Sequence, residues 1–206
     1  MQPDPLEVQT DQLQVIVNRA LARSAETLSE MSGVDISISS SAVERVPLVQ
    51  VPLAVGSPEE PAIGVYVGIE GDGAGYLLLL LDKAMATELA GLLLCEPVES
   101  IDVRDELPAS ALAEAGNVSC SAFMNELGEA TRLCLMAMPP VVVDDMRGAI
   151  LDVVVAEIAQ SGDEALLIKT QMRRTDDTTS NGSVNARLLA IPTPETLNAI
   201  LERLAA

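Results

Sequence analysis

Histidine is absent from all 206 residues. Its absence removes every Ser–His and Cys–His nucleophile arrangement and most zinc sites. Aromatic residues are nearly absent as well, at 1% of a chain that is 49% hydrophobic, so any core must be built from Leu, Val, Ile, Ala and Met. Basic residues are few: 12 Lys and Arg stand against 31 Asp and Glu, for a net charge of −19. Nothing is available to neutralise a row of phosphates, which excludes nucleic acid as a partner and disfavours an anionic membrane surface. Only Lys83 and Lys169 are lysines, and a Lys-poor, acidic balance suits high salt, where self-repulsion is screened.

No apolar run approaches the length of about 18 residues that a spanning helix needs. The start, MQPDPLEVQTD, lacks the positive and apolar regions of a secretory signal, so a cytoplasmic location is expected. The three cysteines, Cys95, Cys120 and Cys134, are odd in number and show no paired spacing. They read as free, mostly buried thiols in a reducing compartment, with Cys120 and Cys134 in the core.

What the chain does contain is helical and strand periodicity in alternation. Residues 1–10 read as a loose end. Residues 11–31 carry apolar side chains at helical spacing and stop at Gly33. Strands are expected at 34–38, 44–54, 62–69 and 74–81, with the GDG at 71–73 as a hairpin turn. Asp82 caps a helix to about residue 94, and 95–104 is a connector. A second long helix spans 105–133, with Asp105 as cap and Pro108 in its first turn. Strands follow at 133–138, 150–158, 164–173 and 183–190, with a polar turn at 175–183. The closing helix has Thr193 as cap and Pro194 at its first position.

Those elements come in the same order twice. Setting Asn18 against Asn117 also pairs Leu28 with Leu127, Glu30 with Glu129, Val34 with Leu133 and Ile36 with Leu135, without a gap. The chain reads as one domain, 1–206, made of two repeats at about 10–94 and 105–204. The expected fold class is α/β with a pseudo-two-fold duplicated repeat. Two long helices pack on one side of a shared, largely antiparallel sheet, and each half closes with a shorter helix.

On the second long helix, Ser110, Glu114 and Asn117 fall at i, i+4 and i+7 and so line one stripe. Gly116 beside them allows either a close backbone approach or tight helix packing. The Met residues at 136, 138 and 146 read as packing, and the adjacent Asp144 and Asp145 as solvated carboxylates.

The stretch SALAEAGN, with Pro140 following, resembles the signature of the CheC, CheX and FliY family of chemotaxis phosphatases. The VPL at 46–48, the GIEGDGAGYLLLLLD at 68–82 and the duplicated layout are similar to the same family, CheC-like along nearly the whole chain. The resemblance implies removal of the aspartyl phosphate from a phosphorylated, CheY-like receiver domain. The receiver supplies its own Mg²⁺ and Lys, and this chain binds no cofactor or metal. Asn117 would orient the attacking water, Glu114 would pair with the receiver Lys, Ser110 would add a supporting hydrogen bond and Pro140 would fix the chain after the strand.

In the first repeat Asp11 and Asn18 match the pattern, but Val15 stands for the Glu and Ser41 for the Pro. One working site is therefore expected, in the second half, with the Asp11/Asn18 site degenerate and the chain a monomer. A different reading of the same resemblance is a binding module that sequesters the receptor deamidase CheD or the phosphorylated receiver. A third is a part of the flagellar switch, related to the FliM middle domain. Receivers are commonly acidic, so the approach of one at −19 would need screening salt or arginines at the contact; Arg104 and Arg132 bracket the helix.

Overall fold

The computed structural model describes residues 5–158, 164–174 and 183–204. Helix α1 (Pro5–Ser32) reaches back into the stretch expected to be loose and carries Leu13, Ile16, Val17, Ala20, Leu21 and Leu28 on its buried face. It ends at Gly33, whose φ of 68° is the left-handed conformation a helix stop favours. Strand β1 (Ile36–Pro47) then runs unbroken through the gap expected between 38 and 44. From 48 the chain turns helical rather than extended, as a 3₁₀ turn and the short helix α2 (Val51–Ala54). Pro52 sits in the first turn of α2, where its missing N–H breaks no helix bond.

Strands β2 (Pro61–Gly71) and β3 (Gly75–Asp82) form the expected hairpin, and helix α3 (Lys83–Leu94) follows. Asp82 stands at the N-cap of α3 without bonding its backbone; its carboxylate is instead held by Arg147 Nη2 at 2.7 Å. The second long helix, α4 (Glu106–Thr131), leads to β4 (Leu135–Ala137) and β5 (Val141–Met146). Residues 150–158, expected to be extended, lie in helix α5 (Arg147–Ile158). Its Ile150 and Leu151 are fully buried, and that packing outweighs the β-branched run at 153–155. Strands β6 (Glu164–Arg174) and β7 (Ser183–Pro192) precede α6 (Pro194–Leu204). Thr193 caps α6 as expected, accepting a bond from Thr196 N at 3.4 Å. Most of the turn expected at 175–183 lies outside the described residues.

Among the described residues seven strands make one antiparallel sheet in the order β1-β6-β7-β3-β2-β4, with β5 also on β2. That order reads the same from both ends if the halves are exchanged: hairpin β2–β3 corresponds to β6–β7, and β1 to β4 plus β5. The centre is the β3–β7 pairing, with Leu78 opposite Leu189. Each half's first strand lies on the other half's hairpin, β1 on β6 and β4 and β5 on β2.

The irregularities repeat as well. In β1 the register shifts between Ser40 and Ala42, leaving Ser41 unpaired. In the second half Ala137 pairs with Ile69 and Val141 with Tyr66, so 138–140 stand opposite only 67–68, a bulge of one residue at the same place. Arg132 takes φ 57° where the first half has Gly33. Pro140 thus lies at a bulge between two strands rather than in a loop after one.

Helices α1, α3, α4 and α6 cover one sheet face, over a core that includes Ile63, Val65, Leu77, Leu79, Ile168 and Leu188. Helices α2 and α5 cover part of the other, over Ala62, Leu78, Leu80, Leu167 and Leu189. The two long helices pack side by side as expected. Among the described residues no helix is long and apolar enough to cross a membrane.

Candidate functional site

Helix α4 is set on the sheet by its buried positions, including Leu112, Ala115, Gly116, Ser119, Cys120 and Phe123. Gly116 has a packing reason: a Cβ there would come within 2.9 Å of Val65 Cβ in β2, so its absence lets the helix backbone close onto the sheet. With that face turned inward, Ser110 and Glu114 are exposed and Asn117 is half-buried at the margin. The structure brings these three onto one surface of α4, as the i, i+4, i+7 spacing requires. None of the three side chains has a hydrogen bond or ion pair among the described residues. A carboxamide that can both donate and accept is therefore open to solvent beside an open carboxylate one turn away. Pro140 is half-buried at its bulge.

The matching place on α1 differs. Val15 is 50% exposed where α4 has Glu114. Asn18 is exposed but not open: its Oδ1 accepts from Gln14 Nε2 at 3.1 Å and from Ser40 Oγ at 2.7 Å. Gln14 Nε2 also donates to Ser40 Oγ at 2.6 Å. Sequence reasoning singled out Asn18 and Val15 but passed over Gln14 and Ser40, although the gapless register sets them opposite Ala113 and Pro139. Asp11 lies on α1, and its side chain is outside the described residues.

Three other expectations change. Arg104 is exposed but engaged, its Nε and Nη2 reaching the Asp102 carboxylate at 2.9 and 2.6 Å. Those bonds hold the Asp102 carboxyl well below its usual range and leave Arg104 little free charge to offer a partner. Arg132 remains exposed at the far end of α4, its carbonyl bound by Arg203 Nη1 at 3.2 Å.

The cysteines divide. Cys120 is buried and its thiol is pushed up to about 12 by burial, whereas Cys95 and Cys134 are exposed. Cys134 points outward because it alternates with the buried Leu133 and Leu135. Met136 in β4, Met138 at the bulge and Met146 at the end of β5 are not core packing; they are 48%, 45% and 57% exposed. Met138 lies over the bare backbone of Gly68, on the face opposite the long helices. Asp144 is bound to Lys83 Nζ at 2.9 Å. Among the described residues no group of three or more Cys, Asp or Glu is placed to hold a metal ion.

No family model matches the chain. A curated relative does: the CheY-P phosphatase CheC of Bacillus subtilis (strain 168), 24% identical over 168 residues, which cover 81% of this chain and 80% of that protein. Among solved structures, FliY of Thermotoga maritima superposes with a TM-score of 0.75 at 20% identity, over 99% of this chain and 98% of that one. In sequence the chain is similar to CheC, and in fold it is similar to FliY, the family its motif resembles. The FliM middle domain from H. pylori shares the fold of this CheC-like chain, with a TM-score of 0.63 at 9% identity, over 95% of this chain and 97% of that domain. On α4, Ser110, Glu114 and Asn117 share one stripe without partners among the described residues, while on α1 Val15 takes the place of the Glu and Asn18 is internally bonded.

Proposed function

We propose that this chain removes the phosphoryl group from the aspartyl phosphate of a CheY-like receiver domain. The observation that carries the reading is the open pair on α4: Asn117 and Glu114, one turn apart, neither of them engaged among the described residues. An acyl phosphate is hydrolysed by in-line attack of water, and what a partner protein must add is chiefly placement. The Asn117 Oδ1 accepts a hydrogen bond from that water while its NH₂ donates toward the phosphoryl oxygens. Glu114 pairs with the receiver's lysine and sets the docking angle, and Ser110 extends the contact along the same stripe. The receiver brings its own Mg²⁺; no step asks this chain for a metal, and its lack of histidine costs the reaction nothing. The relative CheC, a CheY-P phosphatase by name, supports this assignment.

The test is loss of phosphate from a purified phosphorylated receiver with Mg²⁺. The wild-type chain is expected to hasten it, and Asn117→Ala and Glu114→Ala to reduce the effect by at least about tenfold, the lower range for a positioning group. Equal decay with all three proteins overturns the reading.

A second reading is favoured by one observation, the exposed Met136, Met138 and Val141 on the outer strands. Adaptable apolar side chains at a sheet margin suit a protein contact separate from the α4 stripe. On this reading the chain holds CheD or the phosphorylated receiver without hydrolysis. Binding with an unchanged rate of phosphate loss distinguishes it from the first.

A further inference from the structure

Loss of a glutamate is not all that separates the first half-site from the second. Asn18 Oδ1 carries two hydrogen bonds, from Gln14 Nε2 and Ser40 Oγ, and the two donors are themselves bonded, so three side chains close a triangle. A carboxamide oxygen has two lone pairs, and here both are used inside the chain. A water bound at that oxygen would have to displace one of its two donors. In the second half the corresponding positions are Ala113 and Pro139, neither of which has a side-chain donor. The fold places them equivalently, since α1 and α4 correspond and the bulge that follows Ser40 recurs after Pro139.

We infer that Gln14 and Ser40 form a lock that keeps Asn18 from orienting water, and that Ala113 and Pro139 are positioning residues whose lack of donors leaves Asn117 free to do so. This rests on the phosphatase reading above. It makes the first half-site closed for two independent reasons, Val15 in place of a carboxylate and a carboxamide already engaged. Restoring the carboxylate alone does not open it.

Two measurements decide this. The first follows the side-chain amide resonances of Asn18 and Asn117 by NMR in the wild-type protein and needs no activity. Asn18 is expected to be the more rigid of the two, and to become as mobile as Asn117 in the Gln14→Ala/Ser40→Ala variant. Equal mobility of the two asparagines in the wild type overturns the lock.

The second measures receiver dephosphorylation in an Asn117→Ala background, where the second site is weakened and its residual rate is the baseline. Val15→Glu is expected to add nothing, and Val15→Glu with Gln14→Ala and Ser40→Ala to raise the rate about five- to 150-fold, the range open to two hydrogen bonds of ordinary strength. A Val15→Glu variant as active as the triple change overturns the lock, as does a triple change that stays folded and gains nothing while wild type is active. Conversely, Ala113→Gln with Pro139→Ser, with Asn117 and Glu114 intact, is expected to slow the second site. If the wild-type chain itself fails to hasten phosphate loss, the phosphatase reading falls, and the NMR result alone decides the lock.

Discussion

Arg23 of α1 meets Glu126 of α4 at 2.5 Å, and the carboxylate it meets is only 4% exposed. A buried carboxylate without its partner is costly, but Arg23 is 55% exposed and its share is screened by water. Arg23→Ala is therefore expected to lower stability by about 1–3 kcal/mol, below the range of fully buried pairs. Glu126→Leu added to it should recover most of that loss, because it removes the stranded charge. Urea midpoints of the three proteins check this, and an unchanged midpoint for Arg23→Ala would show that the pair does not hold the helices together.

Gly116→Ala forces α4 away from β2, since the new methyl would meet Val65. A stability loss of about 1–3 kcal/mol is expected from such overpacking. Because Asn117 is the next residue, receiver dephosphorylation should fall by more than the unfolded fraction accounts for. Activity that tracks only the folded fraction would mean that this contact does not set the asparagine.

Thiol labelling should be selective. Cys95 and Cys134 are exposed, while Cys120 is fully buried with its thiol held protonated up to about 12. Iodoacetamide near neutral pH is expected to modify two cysteines in the native protein and the third only in denaturant, as read by intact mass. Three equivalents taken up under native conditions would contradict the packing of α4.

Alkaline conditions should destabilise the chain in a defined window. Burial raises Tyr66 from 10.0 to about 12, with Asp145 adding to the shift, and burial raises Cys120 from 9.0 to about 12. Both groups hold their protons more tightly folded than unfolded. Their stabilising contribution is thus complete below pH 9 and is lost as pH rises toward 12, where the unfolded chain binds fewer protons than the folded one. Unfolding midpoints measured from pH 8 upward should fall across this range, and Tyr66→Phe should flatten the part above 10.0. A level profile would place both groups in water.

Much of this architecture was legible from periodicity alone. The long helices, the β2–β3 hairpin and the closing helices follow from apolar spacing and from GDG, and the duplicated register joined them into one sheet. Helix α5 was hidden because Val153, Val154 and Val155 read as strand, while what decides the segment is the burial of Ile150 and Leu151 against the second sheet face. Strand β5 was hidden because Pro139 and Pro140 read as a stop, whereas a bulge carries the chain past them along the same partner strand. The open stripe on α4 was visible as spacing. The closed one on α1 was not, because Ser40 reaches Asn18 only once β1 is laid beside the helix.

The exchange of first strands has a consequence for how the chain is made. Strand β1 leaves the ribosome early, yet Ile36 pairs with Arg174 and Pro47 with Glu164, near the far end. At roughly 5–20 residues per second the wait is on the order of ten seconds. Through that interval β1 has α1 and α2 packed against it but no strand on either edge. Nascent chains stalled before residue 164 are therefore expected to aggregate more readily than the finished chain, and the Ser and charged residues of β1 are expected to limit this.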